Sequence, residues 1–270
     1  FHPERIVLVE APDSALATSA LAALANDALV DWAERNVTRS MMSVGYGAPP
    51  VPPIAPGIAS TLDTRVASTL DTRVATALDT LADDPYLVGG RQYGLWNFGP
   101  TGFYGGVARA DVHAVEAWRV SVGSNVIKLA VADTGIDPDQ PELGGLMPDG
   151  SPRITDALNV TDDSIGTTID LYGHGTPVTG VMAARTNDGP HFAPGAGIAG
   201  VCGGDGNGNA GCRIVPIKIA PGHSGEATTF DIGNALVHAA DVGARAVNLS
   251  FAGDAPSRAE RLALTYALFN

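Results

Sequence analysis

At 270 residues the chain has room for one large domain or two small ones, and 45% apolar against 17% charged residues, with 33 Gly and 19 Pro, describes a loop-rich globule and excludes a disordered or coiled-coil chain. The formal net charge is -13 and Lys128 and Lys218 are the only lysines, so a phosphate-tracking basic surface and a nucleic-acid partner are not expected. No apolar run approaches the roughly 20 residues of a membrane span.

Residues 5–10 (RIVLVE) are β-branched and partly alternating, which predicts a short strand. Ala15 to Leu29 is rich in Ala and Leu without Gly or Pro, a helix pattern, and Val30 to Ala33 (VDWA) reads as a second strand. A unit this small needs something larger to lean on. From Met41 to about Asp83 the character changes: PPVPPIAPG is punctuation that no helix or central strand tolerates. An eight-residue repeat follows, STLDTRVA, STLDTRVA, TALDTLAD, which sets Leu62, Val66, Leu70, Val74 and Leu78 four apart. That spacing holds one helical face for two or three turns before it drifts, so a docking helix competes with the simpler reading of a duplicated spacer.

After Asp84 the pattern is α/β. Val126 to Ala132 (VIKLAVA) is a nearly continuous apolar run ending in Asp133-Thr134-Gly135, as a buried parallel strand would. Thr176 to Ala184 reads as helix, Arg213 to Ile219 as strand, Phe230 to Asp241 as helix and Ala246 to Ser250 as strand. Such alternation implies a parallel sheet covered on both faces, with reactive groups outside the carboxyl ends of its strands. Asp133 stands at such an end, and His174 lies in the small-residue turn Gly173-His174-Gly175-Thr176. An aspartate that fixes the tautomer of a histidine, which then takes a proton from a serine, is a standard way to activate a hydroxyl at neutral pH. Taken singly, Asp133 could be a turn residue and His174 a structural histidine.

Three further features are weighed. Cys202 and Cys212 flank a Gly- and Asn-rich stretch flexible enough to bring them together; a disulfide in an exported protein competes with two buried thiols. The chain opens on Phe1 without an initiator Met, which leaves room for a signal peptide upstream. Gly206, Gly208 and Gly211 spell G-x-G-x-x-G, but a strand is predicted where a helix must begin, so dinucleotide binding is not expected. Gly222 to Glu226 lacks the second glycine of a nucleophile elbow.

VIKLAVADTGIDPDQPEL resembles the Asp segment of the subtilisin-like serine proteases, the subtilases, and DLYGHGTPVTGVMAA resembles their His segment. GIAGVCGG, RIVPIKIA and ALVHAADVGARAVNLSFAG are similar, in order, to a turn, the central strand, and the helix and strand leading to a substrate-binding edge. DDPYLVGGRQYGL and the EAW before Arg119 resemble the opening of the mature domain. The resemblance implies a three-layer α/β/α domain with a parallel sheet over residues 84–270, after a small α+β prodomain-like segment at 1–40 and a Pro-rich, repetitive linker at 41–83. It implies a secreted serine endopeptidase acting on proteins or peptides, with Asp133 orienting and His174 as general base. Ser250, Phe251, Ala252 and Gly253 would form one substrate-binding edge, with Phe251 an apolar wall of the P1 pocket. His223, Ser224 and Gly225 would form the other, and substrate would lie between them as an added strand. The segment at 1–40 would be an intramolecular inhibitor.

The sequence also departs from the family pattern. Pro177 replaces a second histidine and Gln140 another. The chemistry would need no cofactor, while Glu142 matches a position that binds structural calcium in some members; the loop ARTNDGPHFAPGAG does not match closely enough to name further ligands. The nucleophilic Gly-Thr-Ser and the oxyanion Asn would lie beyond Asn270, so these residues alone are expected to be inactive. The rival readings are a catalytically inactive subtilase-fold binding module or zymogen fragment, and an aspartic protease. The last needs a second Asp-Thr-Gly loop or a homodimer, and leaves Gly173 to Thr176 unexplained.

Overall fold

The structure, a computed structural model, describes residues 8–11, 13–28, 30, 32–41, 83–102, 106–161, 166–188, 197–206 and 208–270. The Pro-rich and repetitive segment at 42–82 and the first half of the strand expected over 5–10 lie outside them.

Its centre is a parallel sheet in the order β3-β4-β2-β6, formed by β2 (Lys128–Asp133), β3 (Leu158–Asn159), β4 (Arg213–Lys218) and β6 (Ala244–Leu249). β2 pairs with β4 from Lys128↔Arg213 to Asp133↔Lys218, and with β6 through Ala132↔Leu249. Side chains alternate across a strand, which separates two cores. Ala130, Ala132, Val215 and Ile217 face α5 (Thr229–Asp241), whose buried Ile232, Ala235, Leu236 and Ala239 recur at helical spacing. Ile214, of opposite parity, packs in a second cluster with Ile136, Leu143 and Ala183, the last on α4 (Gly175–Ala183). Helices therefore cover both faces, and the expected three-layer α/β/α arrangement is what the chain adopts. α6 (Arg258–Phe269) packs on α5. The short helices α2 (Pro85–Val88) and α3 (Ala114–Trp118) build a third cluster around Leu87, Trp96, Val115 and Trp118, whose Nε1 donates to Val201 O at 2.8 Å.

The strands expected over 126–132, 213–219 and 246–250 and the helices over 176–184 and 230–241 all form, with ends displaced by one or two residues. Cys202 and Cys212 are joined as a disulfide. β4 begins two residues after Gly211, so the Gly-x-Gly run opens no helix.

The N-terminal part differs more. α1 (Ser14–Ala25) is capped by Asp13, whose Oδ1 accepts from the amides of Ala15 and Leu16, and it stops before Leu29 because Asn26 and Asp27 form helix poorly. Residues 30, 32 and 33 carry no strand. The strand is β1, Thr38–Met41, lying antiparallel between β5 (Glu226–Thr228) and β7 (Phe251–Ala252) in a separate three-stranded sheet. Its partners decide its place: Thr38↔Thr228, Arg39↔Ala227 and Ser40↔Glu226 on one side, Ser40↔Ala252 and Met41↔Phe251 on the other. Ladder bonds on both edges outweigh the weak strand propensity of Thr-Arg-Ser-Met. Among the described residues no helix is long and apolar enough to cross a membrane.

Candidate active site

β2 delivers Asp133 to the carboxyl end of the sheet, where its side chain is fully buried. Its Oδ1 accepts from the Thr134 amide at 2.7 Å and lies 2.8 Å from His174 Nδ1. A carboxylate only accepts, so the imidazole proton sits on Nδ1 and Nε2 is left as the acceptor. Burial pushes the Asp133 carboxyl above the usual carboxylate range, against the lowering effect of the bonds from His174 and Thr134. Oδ2 is buried without a hydrogen-bond partner among the described residues. The His174 side chain is 22% exposed, enough for its far nitrogen to meet a reactant.

His174 is the N-cap residue of α4, and the turn it occupies is fitted against the Asp133 turn. A Cβ on Gly175 would come within 2.1 Å of Gly135 O and 3.1 Å of Asp133 Cβ, so only glycine permits the approach. Gly135 holds φ at +119°, with Thr168 O and Ile169 O where a side chain would point.

Asp170 ties the two turns together. Its Oδ1 accepts from Thr134 Oγ1 (2.8 Å) and Gly173 N (2.7 Å), and its Oδ2 from Thr176 N (2.8 Å) and Thr176 Oγ1 (2.7 Å). Thr134 Oγ1 also accepts from Gly175 N at 2.9 Å; with one proton to give, it donates to Asp170 rather than across 3.3 Å to Asp133. Burial acts to raise the Asp170 carboxyl, but these bonds outweigh it and hold the group below its usual range. Lys218, buried at the end of β4, donates from Nζ to Thr134 O (2.7 Å) and Ile169 O (3.3 Å), anchoring the same turns from below.

The two expected binding edges face each other. His223 Nδ1 donates to Leu171 O at 2.8 Å, Ser224 Oγ accepts from Glu226 N at 3.0 Å, and a Cβ on Gly225 would meet the Tyr172 ring at 2.8 Å. The loop carrying His174 therefore abuts the start of β5. Across the gap, Ser250 Oγ accepts from Asn248 Nδ2, and Phe251 and Ala252 form β7. Phe251 borders the groove beside Arg39, and a Cβ on Gly253 would come within 2.7 Å of the Arg39 side chain. The gap holds β1: Met41 N donates to Gly225 O at 3.0 Å.

Residues just before β1 cap the two neighbouring helices, which the sequence reading did not foresee. Glu34 accepts from Ser257 Oγ (2.8 Å), Arg258 N (2.8 Å) and Ala259 N (2.9 Å) at the start of α6. Asn36 Oδ1 accepts from Thr229 Oγ1 and Phe230 N, both at 3.0 Å, at the start of α5. Glu142 is buried, with Oε1 accepting from the Gly197 amide. Among the described residues no three Asp, Glu, His or Cys side chains gather where a metal ion could be held.

Residues 124–268 match the subtilase family of peptidases. The chain belongs to that family. A thermophilic serine proteinase of Bacillus sp. (strain AK1) is 34% identical over 151 residues, covering 56% of this chain and 32% of that protein. Thermitase of Thermoactinomyces vulgaris is 28% identical over 185 residues, covering 68% and 53%. The chain thus spans about a third and about half of the length of these subtilases. The crystal structure of fervidolysin from Fervidobacterium pennivorans, a keratinolytic enzyme related to subtilisin, aligns at 25% identity over 57% of this chain and 21% of that one, with a TM-score of 0.39.

Proposed function

We propose that this subtilase chain belongs to a secreted serine endopeptidase, made as a zymogen, that hydrolyses peptide bonds in protein or peptide substrates. The observation that carries the reading is the 2.8 Å bond between His174 Nδ1 and Asp133 Oδ1 at the carboxyl end of β2. With Nδ1 committed to Asp133, Nε2 takes the proton of an attacking serine, and the buried carboxylate stabilises the imidazolium that forms. That serine and the asparagine of the oxyanion hole are supplied by the part of the domain that follows α6. No cofactor takes part in these steps.

Residues 84–270 act as the first part of the catalytic domain, 41–83 as a linker and 1–40 as part of an inhibitory prodomain. β1 supports the last assignment, because it fills the gap between the two edges that would bind substrate. The Cys202–Cys212 disulfide supports an extracytoplasmic site of action, where such bonds persist.

The test is the complete gene product, assayed for casein cleavage and for labelling by a fluorophosphonate. His174→Ala is expected to abolish both. Labelling that survives the substitution removes His174 as the base, and a native product that neither cleaves nor labels is a binding module instead.

A further inference from the structure

One side chain of β1 is buried. Thr38 and Ser40 are exposed, while Arg39 between them is 6% exposed although it is the most polar of the three. Its guanidinium makes a two-pronged contact with Glu260, Nε to Oε1 at 3.0 Å and Nη2 to Oε2 at 2.8 Å, and Nη2 also donates to Ala255 O at 2.6 Å. With Arg39 seated along one side of it, about 520 Å³ of groove stays open between α5, α6 and β7. Ile232, Leu249 and Phe251 line that groove with apolar surface suited to the methylene stem of an arginine, while Asp254 and Glu260 place negative charge where its head arrives. Gly253 leaves open the passage that the stem takes.

The Ser257-x-x-Glu260 pattern gives this placement more weight. Glu260 stands where a capping-box carboxylate would reach back to the helix start, and its amide does donate to Ser257 Oγ at 3.2 Å. Its carboxylate instead goes to Arg39, and Glu34 caps the helix in its stead. An acidic fork not spent on its own helix, and met by Arg39, therefore faces the gap between β5 and β7, on a chain whose net charge of -13 favours the approach of cationic partners.

We propose that the groove between α5, α6 and β7 is a substrate subsite that selects arginine, with Glu260 as its specificity-determining residue and Arg39 as its internal occupant. The substrates are extended polypeptides with arginine two positions before the residue whose amide bonds Gly225 O. This rests on the reading that β1 stands where substrate would lie. Lysine is discriminated against, because its three donors radiate from one nitrogen and cannot reproduce the parallel fork that Nε and Nη2 make on the two Glu260 oxygens.

The test is binding, so it does not depend on catalysis. In the full chain carrying Arg39→Ala, so that its own side chain no longer meets Glu260, the peptide Val-Thr-Arg-Ser-Met-amide, labelled with fluorescein at its amino group, is titrated by anisotropy beside peptides with Lys, Ala or Glu in place of Arg. The Arg peptide is expected to bind roughly 10- to 100-fold more tightly than the Ala or Glu peptide, with Lys between. Adding Glu260→Arg should invert the ranking in favour of the Glu peptide. Equal affinities, a ranking unchanged by Glu260→Arg, or no binding of any peptide would overturn the proposal. If the Arg39→Ala chain does not fold, the native chain is used, and the same ranking is read from how much of each peptide speeds amide exchange at Thr38 to Met41. A complete gene product that cleaves nothing while its chain still ranks the peptides would refute the peptidase and leave the subsite standing.

Discussion

Glu34 gives the sharpest test of how the N-terminal segment is held. Its carboxylate takes three bonds at the N-terminus of α6. Charge-assisted bonds of this kind contribute about 1.5–3 kcal/mol each when isolated, and a helix terminus adds about 0.3–1 kcal/mol. The site is half-buried and Ser257 still caps the Glu260 amide without Glu34, so the sum is well short of additive. Glu34→Ala is expected to cost about 2–3 kcal/mol of docking, which raises the detached population of β1 roughly 30- to 150-fold. Amide exchange at Thr38 to Met41, compared with β2 and β4 in the same sample, reads that population directly.

The pH dependence has a defined sign. Burial acts to raise the Glu34 carboxyl, but the bonds from Ala259, Arg258 and Ser257 outweigh it and hold the group below its ordinary value of 4.5. Its contribution is therefore complete above 4.5 and is lost as pH falls through the lower native value. Glu34→Gln should remove that acid-side loss. Exchange in Glu34→Ala within threefold of the native rate, or an acid response unchanged in Glu34→Gln, would refute this account of the cap.

Gly175→Ala forces a Cβ to within 2.1 Å of Gly135 O. It should destabilise by ~3 kcal/mol and erase the downfield proton resonance of the His174–Asp133 bond, read by calorimetry and NMR. Asp170→Asn keeps one of the two oxygens and turns the other into an NH2 donor, so two of the four donors lose their acceptor; it should cost about 2 kcal/mol at neutral pH and flatten the part of the acid unfolding curve below 3.8, since the depressed Asp170 stabilises above that value and not beneath its native pKa. Replacing Cys202 and Cys212 together with Ser opens a loop of sequence separation 10 and should lower stability by about 3 kcal/mol, seen as a lower Tm.

What could be read from the sequence was what local chemistry decides. Val126 to Ala132 is apolar because β2 is covered on both faces, and α5 shows its buried stripe at i, i+3, i+4 and i+7. Asp133 and His174 stood out because each sits among the glycines that their close approach demands. The helix at 14–25 was legible apart from its end. β1 was not, because Thr-Arg-Ser-Met carries no strand signal and its partners lie almost the whole chain away. Asp170 was passed over as a loop acid; its place four residues before His174, with Thr134 following Asp133 and Thr176 two residues on, is the signal that could have drawn attention to it. Nothing local pairs Arg39 with Glu260 or Glu34 with Ser257.

The strand order also sets the kind of chain that can enter. β4 and β6 flank β2, so each stands one strand spacing from it, about 4.8 Å. β2 stops at Asp133, while the chain leaving β4 becomes β5 and the chain leaving β6 becomes β7. β1 bonds to both, so that opening is again two spacings, about 10 Å, wide. It is a slot one backbone across, whereas a helix with its side chains measures about 10–12 Å and would leave no room for bonds to either wall. The segment that fills it, β1, is accordingly held as a single extended thread.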